Sequence, residues 1–261
     1  MLDFHNHLMP AVDDGAGDIS ESRTGLQTLQ SQGVREIITT PHLRGSLTLR
    51  PGDLAGFLGI LDEAWESLTT LAAEEFPDLR VERGVELMLD VPNPKLDDAR
   101  LRLAGTSYVL VEFPAFNVPP HSTLALRELR QSGCTPIIAH PERYSNMPDS
   151  YDLVADWRDA GAFIQVNSGS ILGYYGPTAK RLAWTLLEAG YVDYLSSDYH
   201  SRGKCAVAEC AMVMKSKGGV ALHRSLTDTN PRRLLRDEGP LPVPSFESGA
   251  SPFWSRVLPW R

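Results

Sequence analysis

The chain has 261 residues, a formal net charge of −8 and a sequence pI of about 5.4. This length suits one barrel-sized domain or two small ones. The acidic balance and the lack of a basic patch argue against nucleic acid as a partner and against simple electrostatic binding to anionic lipid. The spacing of the three cysteines, Cys134, Cys205 and Cys210, matches neither a disulfide framework nor a zinc-binding CxxC motif. Since no signal peptide and no apolar run of membrane-spanning length is found, we expect a cytoplasmic protein.

Seven apolar, β-branched-rich runs alternate with helical patterns along the chain. The predicted strands are Leu2–His7, Glu36–His42, Val81–Leu87, Tyr108–Phe113, Pro136–His140, Phe163–Asn167 and Val192–Ser197. The predicted helices begin near Ser20 and end near Gly33, and then span about Pro51–Ala73, Thr123–Gln131, Tyr151–Asp159, Thr178–Glu188 and Val207–Lys217. Several strands are continuously apolar, which is typical of parallel strands covered on both faces. The alternation predicts a parallel β/α architecture.

Histidines and carboxylates recur where these strands end. Nine candidate metal ligands follow: His5, His7, Asp14, His42, Glu86, Glu112, His140, Asp198 and His200. Barrel enzymes build their sites at the carboxyl ends of the strands, so this distribution favours a closed or distorted barrel over an open sheet. The remaining histidines, His121 and His223, fall in helical or loop surroundings, and we do not expect them to be ligands.

Two pairs of these candidate ligands are each separated by two positions in the sequence. His5 and His7 point to the same side of a strand and can face one ion. Asp198 and His200 repeat the spacing after the last strand, which a closed barrel brings beside the first. Mixed imidazole and carboxylate ligands suit Zn, Mn or Fe. Nine ligands are too many for one ion but sufficient for two or three, an arrangement that can clamp an in-line phosphoryl displacement.

Basic residues near these ligands fit an anionic substrate. Arg143, three residues beyond His140, could grip phosphate oxygens in a bidentate manner or form a surface salt bridge. Arg202 and Lys204 follow the last ligand pair and could line the same opening. A cysteine-dependent tyrosine phosphatase is excluded, because no cysteine is followed by arginine at the sixth position.

The motifs resemble those of the PHP (polymerase and histidinol phosphatase) superfamily. More narrowly, the chain is similar to the bacterial manganese-dependent protein-tyrosine phosphatases of capsule and exopolysaccharide loci. The matching segments, in order, are DFHNHLMPAVDDGA from Asp3, TTPH from Thr39, GVEL from Gly84, LVEFP from Leu110, IAHPERY from Ile138, QVNSGSILGYYG from Gln165 and SSDYH from Ser196.

This resemblance implies a distorted (β/α)7 barrel over residues 1–238 and the nine ligands around up to three cations, with Mn as the expected metal and Fe or Zn as alternatives. It implies that Arg143 binds the phosphate and that Arg143, Asp198 and His200 carry catalysis. The family's second arginine lies further past the DxH motif than Arg202 does, so Arg202 or Lys204 would have to substitute for it.

The implied substrate is phosphotyrosine in the tail of an autophosphorylating kinase that controls polysaccharide export. Such a kinase could recruit the protein to the inner face of the membrane. A small-molecule phosphoesterase resembling histidinol phosphatase, a non-catalytic regulator that binds a kinase tail, and an amidohydrolase are the alternatives. Homo-oligomerisation is left open by the sequence.

The segment 239–261 differs from the rest of the chain in being rich in Pro, Ser and aromatic residues. We expect this C-terminal extension either to pack over the barrel or to dock on a subunit or partner.

Overall fold

The computed structural model describes residues 1–148, 151–243 and 246. Within these residues, the strands are β1 (Leu2–Asp3), β2 (Glu36–Thr39), β3 (His42–Arg44), β4 (Arg80–Arg83), β5 (Glu86–Met88), β6 (Tyr108–Glu112), β7 (Thr135–Ala139), β8 (Phe163–Asn167) and β9 (Tyr194–Ser196). The helices are α1 (Ile19–Ser31), α2 (Pro51–Glu75), α3 (Ser122–Gln131), α4 (Asp152–Asp159), α5 (Ser168–Leu172), α6 (Pro177–Glu188), α7 (Val207–Ser216), α8 (Val220–Arg224) and α9 (Asn230–Leu234). A π-helical segment, Ser225–Thr229, joins α8 to α9.

Local sequence signals explain where the helices begin and end. Asp18 caps α1, since its Oδ1 accepts hydrogen bonds from the amides of Ser20 and Glu21 at 2.8 and 2.9 Å. Gly33 follows that helix with a φ of 89°, a conformation that glycine adopts without steric cost. Pro51 occupies the first turn of α2, where its missing N–H is not needed.

Every strand pairing is parallel, in two sheets of order β1-β2-β4 and β3-β5-β6-β7-β8-β9. Backbone bonds join the first and last strand segments beyond these sheets. The amide of Asp198 donates to the carbonyl of His5 at 2.7 Å, and the amide of His7 donates to the carbonyl of Tyr199 at 2.9 Å. The strands thus follow one another in a ring, and the predicted distorted (β/α)7 barrel is confirmed.

Two predicted strands are each divided in two, which is the main distortion of the ring. The second strand is interrupted at Thr40 and Pro41, where proline has no N–H to donate to the ladder. The third is interrupted at Gly84 and Val85. Backbone bonds bridge both interruptions, since Thr40 donates to the carbonyl of Asn6 at 2.8 Å and Glu86 donates to the carbonyl of Pro41 at 3.0 Å.

The strands are buried on both faces, because apolar residues of β6 alternate between two hydrophobic clusters. Val109 and Val111 belong to the larger cluster, which contains the buried residues of the surrounding helices. Tyr108 and Leu110 belong to a smaller one. Its members in the strands, or directly after one, come from around the ring and include Leu2, Phe4, Ile38, Ile137, Ala139, Phe163 and Tyr194. Residues from around a ring can touch one another only inside it, so this cluster fills the barrel interior.

No helix among the described residues is long and apolar enough to cross a membrane. Most of the predicted extension 239–261 lies outside the described residues, so its role stays a prediction. Within the described part, the ring of Phe246 stacks against Trp184 with centroids 6.0 Å apart.

Candidate metal centre

The structure brings all nine predicted ligands together at the carboxyl ends of the strands. Three groups have ligand atoms within 4.8 Å of one another: His5, His7, Glu86 and Asp198; His7, Asp14, His42 and His200; and His42, Glu86 and Glu112. The ninth residue, His140, places its Nε2 3.0 Å from Oε1 of Glu86. Because His7, His42 and Glu86 are shared between groups, the arrangement suits neighbouring cations.

The two histidines of the first strand converge on two carboxylates. Nε2 of His5 lies 3.2 Å from Oε2 of Glu86 and 3.3 Å from Oδ1 of Asp198. Nε2 of His7 lies 3.3 and 3.4 Å from the same two oxygens. All four side chains are buried, and the two carboxylates come from β5 and from the turn after β9.

The outer part of the cluster is more accessible. Oδ1 of Asp14 lies 3.5 Å from Nε2 of His42 and 3.4 Å from Nε2 of His200. The rings of His7 and His200 stack with centroids 3.9 Å apart. Nδ1 of His42 is 3.2 Å from Oε2 of Glu86 and also 3.2 Å from Oε1 of Glu112. Glu86 therefore contacts ligands in every part of the cluster.

Groups behind the imidazoles fix their orientation. Nδ1 of His7 is 2.6 Å from Oδ2 of Asp13, and Nδ1 of His5 is 2.9 Å from Oε1 of Gln165. Nδ1 of His200 is 3.0 Å from the carbonyl oxygen of Asp198. An acceptor at Nδ1 keeps the proton there and leaves Nε2 with a lone pair that points into the cluster.

A tight loop holds His7 in place. Asp13 also accepts hydrogen bonds from the amides of Gly15 and His42, at 2.9 and 3.0 Å. A Cβ at position 15 would lie 2.0 Å from the carbonyl oxygen of His7 and 2.4 Å from its Cβ. Glycine is therefore required where the loop 8–16 folds back over this ligand.

The electrostatics of the cluster favour bound cations. Burial acts to lower the pKa of His5, but the carboxylates of Glu86 and Asp198 outweigh it and raise that pKa to about 9. Burial opposes ionisation of Glu86 and Asp198 too, yet the facing imidazoles hold the pKa of both carboxyls well below the usual range. Protons thus balance the charge when no cation does, and cations must compete with them for the imidazoles.

Several buried polar atoms support the fit to metal ions. Nε2 of His5, Nε2 of His7, Nδ1 of His42 and Oε2 of Glu86 make no hydrogen bond of proper geometry within the described residues. Buried polar groups without partners are costly, so such atoms are rare in native proteins. The three imidazole nitrogens lie 3.2 to 3.3 Å from Oε2 of Glu86, and cations placed between these atoms would satisfy them.

Arg143 lies beside this cluster. It ends a short 3-10 turn, Pro141–Arg143, directly after β7 and His140. Its Nη1 donates to Oδ2 of Asp198 at 2.5 Å, and Nδ2 of Asn167 donates to the same oxygen at 2.7 Å. One carboxylate oxygen of Asp198 thus faces the imidazoles, while the other holds the guanidinium.

The two other predicted substrate-binding residues lie apart from the ligands. Arg202 is exposed and pairs with Glu21 at 3.1 Å, and the ammonium of Lys204 lies 5.8 Å from the centre of the Tyr174 ring. Neither contacts any of the nine ligands through a described ion pair or hydrogen bond. Their role in substrate binding stays a prediction.

Three polar residues of the centre were missed by the sequence reasoning. Asp13 was overlooked beside Asp14, although an Asp-Asp pair offers one side chain to each side of the loop. Gln165 and Asn167 end β8 with the same spacing of two that identified His5 and His7, and this spacing was a usable signal.

Comparisons with known proteins identify relatives of this chain. The family model for capsular polysaccharide synthesis, CpsB/CapC, matches residues 1–236. The tyrosine-protein phosphatase YwqE of Bacillus subtilis is 31% identical over 242 residues, which cover 91% of this chain and 92% of YwqE. The tyrosine-protein phosphatase CpsB of Streptococcus pneumoniae is 27% identical over 247 residues, covering 91% of this chain and 99% of CpsB.

A solved structure shares the fold as well. A chain from the crystal structures of YwqE from Bacillus subtilis and CpsB from Streptococcus pneumoniae, described as unique metal-dependent tyrosine phosphatases, superposes with a TM-score of 0.79 at 30% identity. The match covers 95% of this chain and 100% of the other. The extent of the family match and the likeness to YwqE show that the chain belongs to the CpsB/CapC family of capsular polysaccharide synthesis.

Proposed function

We propose that this chain is a metal-dependent protein-tyrosine phosphatase that hydrolyses phosphotyrosine in proteins. The observation that carries the proposal is the set of buried, unpaired nitrogen and oxygen atoms of His5, His7, His42 and Glu86, which face one another beside Arg143. The tyrosine phosphatases YwqE and CpsB, to which the chain is similar over most of its length, support the choice of substrate.

The nine residues His5, His7, Asp14, His42, Glu86, Glu112, His140, Asp198 and His200 would hold two or three cations. Manganese is the expected metal, and iron or zinc would suit the same nitrogen and oxygen donors. Bound cations supply Lewis-acid stabilisation of the transferring phosphoryl group and lower the pKa of water. Glu86 is the best candidate for a shared ligand, since its Oε2 faces three histidines and its Oε1 a fourth.

Arg143 would bind the phosphate. Asp198 holds its Nη1, while the hydrogen-bonding capacity of Nη2 and Nε is not used by any described residue. A guanidinium fixed through one nitrogen offers the others to phosphate oxygens in a defined direction. Asp198 would thereby couple the position of the phosphate to the proposed metal ligands His5 and His7, which its other oxygen faces.

The leaving group makes few demands on the protein. A tyrosyl phenol has an ordinary pKa near 10, so its anion leaves far more readily than the alkoxide of serine. Orienting the phosphate beside the buried ligands is then the main task of the side chains.

The substrate protein would be a tyrosine autokinase of a polysaccharide export system, dephosphorylated in its tail. The family's connection with capsular polysaccharide synthesis supports this partner. Such a kinase would bring the enzyme to the inner face of the membrane from the cytoplasm.

Hydrolysis of a phosphotyrosyl peptide by the purified protein tests the proposal. The assay is run after loading with Mn²⁺ and again after EDTA, with a phosphoseryl peptide and histidinol phosphate as controls. Release of phosphate from the tyrosyl peptide that requires the metal supports the proposal. Release only from histidinol phosphate would keep the metal centre and replace the substrate, and no release from metal-loaded protein would refute the assignment.

A further inference from the structure

The guanidinium of Arg143 lies between two aromatic rings. Its Cζ is 4.6 Å from the centre of the Phe116 ring and 4.2 Å from the centre of the Tyr175 ring. Phe116 follows β6 and Tyr175 follows α5, so two separate parts of the barrel mouth meet at this side chain. Both contacts lie within the range of cation–π attraction.

Both rings remain partly exposed to the solvent, unlike the aromatic residues of the core. Phe116 is 40% exposed and Tyr175 is 40% exposed. The ring of Phe116 also lies near that of His140, with centroids 5.7 Å apart, yet part of it stays exposed although exposed apolar area is costly. The exposed parts of the two rings are therefore available to another flat group at the mouth.

The backbone around Phe116 is held in an unfavourable conformation that keeps the ring at this place. Ala115 and Phe116 both have positive φ values, 52° and 50°. Non-glycine residues in this region are strained, and they persist where the surrounding structure fixes them. The carbonyl of Phe116 accepts a hydrogen bond from the amide of Ser145 at 2.9 Å, which ties this turn to the segment that carries Arg143.

We propose that Phe116 and Tyr175 form an aryl subsite, which binds the phenyl ring of the substrate and thereby selects aryl phosphates over alkyl phosphates. The proposal rests on the proposed function, in which Arg143 holds the phosphate. The phenyl ring of phosphotyrosine begins one ester oxygen away from the phosphorus. A phosphate on the guanidinium therefore brings that ring to the two aromatic side chains that flank it, where offset or edge contacts between rings are favourable.

The serine ester has no such ring. A phosphoseryl substrate could place its phosphate on Arg143 equally well, but its short methylene would leave both aromatic faces uncovered. The enzyme would thus prefer aryl phosphates for two reasons. The subsite binds their ring, and phenol is a better leaving group than a serine alkoxide.

Two stable ligands separate ring binding from turnover. Phenylphosphonate and methylphosphonate share the phosphonate group, differ in the ring, and have a phosphorus–carbon bond in place of the ester. Their dissociation constants are measured by isothermal titration calorimetry on Mn²⁺-loaded protein. We expect phenylphosphonate to bind about 3- to 10-fold more tightly, the range set by a single ring contact.

Substitutions then assign the preference to residues. Phe116→Leu and Tyr175→Leu remove one aromatic face each and should lower the ratio of the two dissociation constants at least 2-fold. Phe116→Tyr and Tyr175→Phe keep the rings and should preserve the ratio. Tyr174→Leu is the matched control, because Tyr174 is 39% exposed in the same turn, but its hydroxyl binds Glu209 and its ring contacts Lys204 rather than Arg143.

The outcomes distinguish the subsite from a simple support for Arg143. If the rings only orient the guanidinium, both leucine variants will weaken the two phosphonates equally, and an unchanged ratio overturns the proposal. No preference for phenylphosphonate in the unsubstituted protein overturns it as well. Failure of the phosphatase assignment would instead appear as absent hydrolysis of the phosphotyrosyl peptide, which the calorimetric ratio does not measure.

Discussion

Asp13 offers a sharp test of the metal centre, because it touches a proposed ligand without being one. Its Oδ2 lies 2.6 Å from Nδ1 of His7, and the facing imidazole lowers the pKa of this buried carboxyl to about 2 although burial opposes ionisation. Replacement by asparagine keeps an oxygen acceptor of similar shape but removes the charge that raises the basicity of Nε2. Outer groups of this kind typically contribute 10- to 100-fold to metal affinity, which corresponds to about 1.4–2.7 kcal/mol.

The affinity of Asp13→Asn for Mn²⁺ is measured by titration calorimetry against a competing chelator. Asp18→Asn is the matched control, since Asp18 lies in the same segment and only caps α1. Asparagine is also a good helix cap, so this variant should bind metal as the unsubstituted protein does. If Asp13→Asn binds Mn²⁺ within 2-fold of the control, the charge of Asp13 does not strengthen metal binding by His7, and the basicity argument is wrong.

Three further predictions concern the loop, the pH dependence and the phosphate grip. Gly15→Ala should lose bound metal and have a lower melting temperature, because its Cβ would clash with His7. Gly17→Ala should change neither property, because its Cβ would meet only the flexible ends of Arg202 at 3.1 Å and Glu21 at 3.5 Å. Equal effects of the two substitutions would contradict the reasoning. In the metal-free protein the raised pKa of His5, about 9 against an ordinary 6.5, contributes stability that is complete below pH 6.5 and is lost as pH rises through 9. Melting temperatures should therefore fall over this window without metal and much less with Mn²⁺, and identical slopes would argue against the linkage. Arg143→Ala should raise the KM for a phosphotyrosyl peptide at least about 10-fold, because a charged hydrogen-bonding partner of the phosphate is removed. The metal content should be unchanged. An unaltered KM would refute the role of Arg143 in phosphate binding.

The order of strands and helices could be predicted because each local signal agreed with the barrel. The run Tyr108–Val111 is apolar on both faces, and the structure buries it on both sides. The break at Thr40 and Pro41 was not predicted, although proline in a central strand signals an interruption. What the sequence cannot show is that the strand resumes after the break, because this depends on the bonds that Asn6 and Glu86 supply from neighbouring strands.

The ligand set was accessible from sequence for a related reason. Parallel strands of a barrel end at one rim, so polar residues at successive strand ends must come together wherever they occur along the chain. The same argument applied to Gln165 and Asn167 would have identified the groups that orient His5 and Asp198. Asp13 is harder to find, because it lies in a loop whose path is fixed by a close contact between Gly15 and His7 rather than by a repeating pattern.

Backbone strain at the rim shows why position could be predicted but geometry could not. His140 and Asp198 have φ values of 34° and 54°. His140 directly follows β7, and Asp198 lies two residues after the end of β9. Left-handed backbone at a non-glycine residue costs roughly 1–2 kcal/mol. A regular continuation of the strand would carry these side chains past the rim, whereas the left-handed turn directs them to Glu86 and His5. This cost does not depend on the hydrophobic pattern, so the left-handed turns could not be predicted from the sequence. Bound cations would compensate for this cost, because they would stabilise only the conformation in which the strained ligands converge.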